Sequence, residues 1–405
     1  MVAVMEGIRI LEVAVWTFVP MAGGVLADWG ADVIKVEHPE GGDPQRGLIS
    51  SGLIPSGSVN FAIEVPNRGK RSVAIDLTTE EGHAALLELA KTADVFLTSI
   101  LPEARKKLRI DVEDIRAANP DIIYVRGSAN GTKGPEAHRG GYDGCTFWAR
   151  GGAADICTPS SQPYPVPPPG GAFGDVLGGL TIAGGISTAL LHRERTGEAL
   201  TVDCSLLAMG AWATGFSLAA TAAFGLERMP MGGKREDNGN PLVNVYKTGD
   251  GRFLSLVMMQ SDKFWPELCT VIGRPELIAD PRFVDAAART ANKHECYAEL
   301  DATFATRPLA EWKEIMKDTE GVWAVVQTTR ELLEDPQIVA NGQVCDVVGP
   351  HGESFKLVAP PLLFNESPPE IRRGPELGEH TDEILASIGY DEERIIELKI
   401  SGAIL

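Results

Sequence analysis

The chain has 405 residues and 44% hydrophobic content, enough for a large buried core and more than one core usually spans, so two domains are expected. With 37 Lys and Arg against 56 Asp and Glu the net charge is −19, which opposes the attraction to phosphate backbones on which nucleic-acid binding rests. Nucleic acid is therefore excluded as a partner, while a local cationic cluster could still hold a small anion. Six cysteines, Cys145, Cys157, Cys204, Cys269, Cys296 and Cys345, form no CxxC and pair with no metal-spaced histidines, so they are expected reduced and mostly buried, with no metal. The first residues carry Glu6, Arg9 and Glu12 inside their apolar run, unlike a secretory signal, and a cytoplasmic location is expected.

Taken in chain order, residues 8–13 form an apolar strand-like run, residues 20–29 a helix and residues 32–36 a second strand. That length suits a right-handed parallel crossover. Strands are expected again at 72–75, 95–98 and 122–125, with a helix over 80–92. This alternation predicts an α/β domain with a mostly parallel sheet. Residues 170–191 begin with glycines and continue as a long apolar helix, followed by a strand at 201–204. Between Asp203 and Glu227 no charge occurs, a length that could cross a bilayer. Ala, Gly, Ser and Thr dominate there, so the segment reads as a helix buried against protein, with a subunit interface as one setting, and no membrane partner is expected.

The polar, glycine-rich segment 228–241 reads as a mobile loop or boundary, and its portion 232–239 as a loop able to close over a bound ligand. Residues 244–259 then alternate like a hairpin turning at Asp250-Gly251, and helices follow to about residue 318. The tail holds a helix over 329–341, a strand pair around Val344 and Phe355, and an amphipathic stretch from Thr381. Periodicity does not say which domain takes the tail. The expected division is residues 1–225, 226–325 and 326–405.

The sequence has no GxSxG elbow, no Walker loop, no HExxH, and no GxGxxG after the first strand. Asp175, in GGAFGDVLGG at the start of the long helix, fits an N-cap. It also fits a nucleophile: the glycines admit a bulky ligand, free N–H groups could hold an oxyanion, and the positive helix end would keep the carboxylate ionised. NRGKR, with Arg68, Lys70 and Arg71, reads as a solvated turn or a phosphate site. His38 ends the second strand, where ligands enter open parallel sheets, and a surface position suits it equally. Tyr142 and Asp143 pair a phenol with a carboxylate, although Asp143 also suits a loop cap. Trp16, Phe18, Phe147 and Trp148 fit an acyl pocket or the core.

Together these segments resemble the class III CoA-transferase family, which includes formyl-CoA transferase, carnitine CoA-transferase and alpha-methylacyl-CoA racemase. The resemblance runs through GIRILEV, LADWGADVIKVEHPEGGDPQR, NRGKRSVAIDL, GYD, GDVLGG, HRERTGEALTVDCSLL, NPLVNVYKTGDGRFLSL, ELLEDPQIVANG and PELGEHTDEIL. It implies a Rossmann-like large domain formed by both ends of the chain, a smaller α+β domain between them, and an interlocked homodimer. It also implies that Asp175 attacks an acyl-CoA thioester, passes through a mixed anhydride and an aspartyl-CoA thioester, and hands CoA to an acceptor carboxylic acid without ATP or metal.

The implied CoA contacts are Val15, Trp16, His38 (often Arg in the family), Arg68, Lys70, Arg71, Tyr142 and Asp143. Leu101 stands where an Arg is usual, so one phosphate contact is expected either to be lost or to be supplied by Arg105, Lys106 or Arg139. Racemase members carry His where this chain has Tyr142; a phenol is a poor proton shuttle at neutral pH, which favours transfer over a 2-methylacyl-CoA racemase. The segment GYDGCTFWARGG resembles members acting on 2-hydroxy or aryl-substituted acids.

Overall fold

Parallel strands buried on both faces need continuous apolar runs. RILEV and DVIKVE supply them, interrupted only by the buried Glu12 and Lys35, as β1 (Arg9–Val13) and β2 (Asp32–Glu37). The structure, a computed structural model, describes residues 2–228 and 235–405. It adds β3 (Arg71–Ala74), β4 (Val95–Thr98), β5 (Ile123–Ser128) and β6 (Thr201–Ser205), in the order β3-β2-β1-β4-β5-β6. Every neighbouring pair is parallel, with Leu11 opposite both Ile34 and Phe96. Strand order reverses between β1 and β4, so a crevice opens at the carboxyl ends of these two strands.

The chain divides into two units, residues 1–155, 167–224 and 336–405 in one and residues 156–166 and 225–335 in the other. The returning tail belongs with the large sheet. Ala74 N–H donates to Thr381 Oγ1 at 3.1 Å, Ile75 bridges Ile404, and Ile384, Leu385 and Leu398 are buried among residues of β1 to β4. The expected boundaries differ in three places: residues 156–166, Gly225 and residues 326–335 join the smaller unit.

That smaller unit is α+β. Strands Val243–Lys247, Phe253–Val257 and Trp323–Val325 form an antiparallel sheet, with the expected hairpin at its centre. Tyr246, Trp265, Phe304 and Trp312 fill the core beneath it. The proposed closing loop 232–239 lies partly outside the described residues, which exclude 229–234.

Two details differ from expectation. The charge-free segment is a pair of helices, Leu206–Ala213 and Gly215–Phe224, bent by 67°. Within this chain the second buries nothing, and Trp212, Phe216 and Phe224 are exposed by 75% or more. Of the cysteines only Cys269 and Cys296 are buried; Cys145 and Cys157 are exposed, because both lie in loop-flanked short helices.

The long helix Phe173–Thr196 lies against helix α1 (Phe18–Asp28). Their approach is closer than a side chain allows: a Cβ on Gly178 would stand 2.3 Å from the Phe18 ring, and one on Gly179 2.5 Å from Met21. These glycines therefore serve helix packing. Of the glycines in GGAFGDVLGG, Gly170 and Gly171, before the helix, are the two that face open space as expected for ligand access.

Candidate active site

Three cavities ring the carboxyl end of the sheet, all within the large unit. The first, about 150 Å³, is bounded by the ends of β1, β2 and β3 and includes Val15, His38, Asp76 and Thr78. His38 Nδ1 accepts the Glu40 N–H at 3.0 Å, so its Nε2, 3.6 Å from Asp76, carries the proton. The second cavity, about 260 Å³, lies beyond β4 and β5 and shares Ile100 with the first. Arg105, Arg126, His138 and Arg139 line it together with Leu101. Thus Arg105 and Arg139 stand beside the leucine that replaces an expected arginine. Arg105 is braced, its Nη1 donating to Ile100 O at 2.8 Å and its Nε to Asp111, while the more exposed Arg139 pairs with Glu136. Lys106 does not line this cavity and pairs with Glu103 at 3.2 Å.

The third cavity, about 480 Å³, holds Asp175. Aromatic and aliphatic groups make its walls: Trp16 and Tyr142 meet edge to face at 5.5 Å, and Leu48, Ile54, Phe61, Val65 and Val176 complete them. Thr17 and Gln45 also border it, but they hydrogen-bond to each other at 3.0 Å. Trp16 follows Val15 of the first cavity, so the turn after β1 separates the two spaces.

The capping reading of Asp175 is overturned by the helix start itself. Ala172 occupies the N-cap in a left-handed conformation, φ 62°, and Asp175 lies inside the first turn. The cap is Asp143, whose Oδ1 accepts the Gly174 N–H at 3.1 Å and which also takes a backbone bond from Phe173. Gly174 is required here, since a Cβ would lie 2.3 Å from the Phe147 ring and 2.5 Å from that same oxygen. Helix-start N–H groups expected to hold an oxyanion are thus partly taken by Asp143. Phe147 and Trp148 are core residues beneath the site rather than cavity walls.

Among the described residues none donates a hydrogen bond to the Asp175 carboxylate. Burial, and then the charge of Asp143, push its pKa up to about 7. The expectation that the helix end keeps it fully ionised is therefore corrected: desolvation and a like charge outweigh the dipole. Asp143 is itself raised by burial, a shift opposed by its two backbone donors.

The expected phosphate turn is corrected too. Arg68 is buried against Asp28 at 2.6 Å. Lys70 Nζ, fully buried, contacts Glu12 Oε2 at 2.7 Å, Pro20 O at 2.8 Å and Asn67 Oδ1 at 3.0 Å. Arg71 begins β3, at the amino edge of the sheet, where Asp32 and Glu383 hold it at 2.7 and 3.0 Å. None of the three lines a cavity at the carboxyl edge. Their acidic partners come from distant segments, which is why the local run suggested a free cationic turn.

Sequence reasoning missed the group that shapes the turn after β1. Lys35, wholly buried, links Asp43 at 2.9 Å, Glu12 and the Ala14 carbonyl. Asp43 Oδ1 accepts the N–H of Trp16, whose φ of 68° is rare for a bulky residue and places it in the cavity wall. Charged residues inside apolar strand runs, Glu12 in RILEV and Lys35 in DVIKVE, were the available signal. Across the switch point Val15 N–H donates to Ser99 Oγ at 3.0 Å, tying the ends of β1 and β4.

With this geometry, the known proteins most relevant are transferases. The family model for CoA-transferase family III matches residues 5–381. The (R)-2-hydroxy-4-methylpentanoate CoA-transferase of Clostridioides difficile is 30% identical over 403 residues, 99% of this chain and 99% of its own length. The succinate–glutarate CoA-transferase of Agrobacterium fabrum is 31% identical, covering 95% of each chain. The crystal structure of a CAIB/BAIF family protein from Brucella suis aligns with a TM-score of 0.81 at 28% identity, over 95% of this chain and 99% of that one.

Proposed function

Because the chain belongs to CoA-transferase family III and is an enzyme that transfers CoA between an acyl-CoA and a carboxylic acid, we propose that Asp175 is its nucleophile. The observation that carries this reading is a carboxylate with no internal partner among the described residues, in a cavity of substrate size at the sheet's switch point. An Asp175 oxygen attacks the thioester carbonyl, the C–S bond breaks, and CoA thiolate leaves an acyl-aspartyl anhydride. The thiolate then attacks the aspartyl carbonyl, releasing the donor carboxylate and leaving aspartyl-CoA. The acceptor carboxylate displaces CoA from that thioester, and the thiolate attacks the acceptor's acyl carbon to regenerate Asp175. Each step conserves an activated acyl bond, so neither ATP nor a metal enters.

In this reading CoA lies across the first two cavities, with Val15 and His38 on one side and Arg105 and Arg139 near its phosphates. Trp16, Tyr142 and Asp143 border the reacting end. The exposed Trp212, Phe216 and Phe224 belong to an interface of an interlocked homodimer, and the enzyme works in the cytoplasm. A 2-methylacyl-CoA racemase is the weaker reading, since Tyr142 stands where racemase members of the family carry a histidine.

Exchange of an isotopically labelled acid into its own acyl-CoA tests the proposal without knowledge of the second substrate. Wild-type protein supports exchange and Asp175→Ala abolishes it. Exchange by Asp175→Ala at more than a percent of the wild-type rate, or solvent deuterium at the α-carbon without acceptor, would refute it.

A further inference from the structure

We infer that the acyl site of this enzyme takes monocarboxylic acids with an apolar, branched or aromatic body, and rejects dicarboxylates. This rests on the transferase reading of Asp175 and adds a substrate class to it. The charges around the sheet edge are sorted by sign. Arg105, Arg126, His138 and Arg139 line the cavity beyond β4 and β5. Among the described residues, the two charged groups lining the Asp175 cavity are both carboxylates, Asp143 and Asp175 itself.

A substrate carboxyl that reacts with Asp175 loses its charge on becoming an acyl group. A second carboxylate would keep its charge, and would face Leu48, Ile54, Phe61 and Val65 or one of the two aspartates. Desolvating an unpaired carboxylate against such walls is strongly unfavourable. Thr17 and Gln45 offer it little, being engaged with each other and, for Gln45 Nε2, with the Ala62 carbonyl. The cavity, at about 480 Å³, is also much larger than a formyl or acetyl group fills. Its aromatic corner, Trp16 against Tyr142 at 5.5 Å, suits a branched alkyl or aryl body.

The test is isotopic self-exchange with four esters of wild-type protein: 4-methylpentanoyl-CoA, 3-phenylpropanoyl-CoA, acetyl-CoA and glutaryl-CoA, each with its labelled free acid. The first two should exceed glutaryl-CoA in kcat/KM by at least roughly 100-fold. They should exceed acetyl-CoA as well, by about fourfold for each methylene buried. Placing a cation in the wall, by Phe61→Arg or separately Leu48→Arg, should raise glutaryl-CoA exchange at least roughly tenfold and lower that of 4-methylpentanoyl-CoA. Phe61 is 43% exposed, so that variant tolerates the longer side chain, and thermal melting checks both. Glutaryl-CoA exchange equal to or above that of the apolar esters would overturn the substrate class and leave Asp175 as nucleophile. Failure of all four esters, extended to a wider acid panel, would overturn the transferase reading itself.

Discussion

Asp143 and Asp175 are coupled through one turn of backbone: Asp143 Oδ1 holds the N–H of Gly174, and its charge adds to burial in pushing the adjoining Asp175 up to about 7. One carboxylate fixes the helix start, and the other accepts no hydrogen bond from a described residue. The pair has consequences for rate, for stability and for pH.

As the proposed nucleophile, Asp175 must be ionised to attack. The kcat/KM for the acyl-CoA donor should therefore rise about tenfold per pH unit on the acid side and level off above about pH 7. Asp143→Asn keeps an oxygen for the Gly174 cap but removes the charge, so its acid limb should move to lower pH. A pH–rate profile of both proteins checks this, and an unmoved limb would show that Asp143 does not set the ionisation of Asp175.

The same shift implies a cost in stability. The folded pKa of Asp175 is raised from 3.8 to about 7, so the folded state binds the proton more tightly than the unfolded one. Its contribution is fully present below pH 3.8 and is lost as pH rises through 7. Asp175→Asn should therefore raise Tm more at pH 8 than at pH 5. The upper limit at pH 8 is about 4 kcal/mol, at about 1.36 kcal/mol per unit, reduced by whatever solvent reaches the carboxyl. Thermal melts at the two pH values read the difference directly.

The basic turn separates structural from ligand roles. Lys70→Met leaves Glu12 short of a fully buried partner and should destabilise the fold by about 3–5 kcal/mol. Arg71→Ala removes partly exposed pairs at the far edge of the sheet and should leave KM for acyl-CoA within about twofold. Arg139→Ala, in the cationic cavity, should raise KM by about tenfold with little change in Tm. A KM response at Arg71 equal to that at Arg139 would contradict this division.

Close packing of the two helices gives a fourth expectation. Gly178→Ala puts a Cβ 2.3 Å from the Phe18 ring and should cost about 1–3 kcal/mol, seen as a lower Tm. A wild-type Tm would mean that the helices part without penalty.

The strand runs were legible because parallel strands buried on both faces need largely apolar stretches, and RILEV, DVIKVE and VFLT have them despite the buried charges Glu12 and Lys35. Asp175 was legible as a residue of interest from its glycines and helix start. The capping reading falls to Asp143, 32 positions earlier, whose carboxylate accepts the helix-start N–H of Gly174. The turn 68–71 misled for the same reason: Asp28, Glu12 and Asp32, its partners, reach it only through the fold. Residues 336–405 gave no signal for their domain because the amphipathic helices Thr381–Ser387 and Glu392–Ser401 present an apolar face that would suit either unit, and they add no strand to the large sheet.

The central claim is a covalent intermediate on Asp175. Protein incubated with 4-methylpentanoyl-CoA, quenched with hydroxylamine and mapped by peptide mass spectrometry should carry a hydroxamate on Asp175 alone, absent without the ester and in Asp175→Ala. A hydroxamate on another carboxylate, or its persistence in Asp175→Ala, would contradict the account.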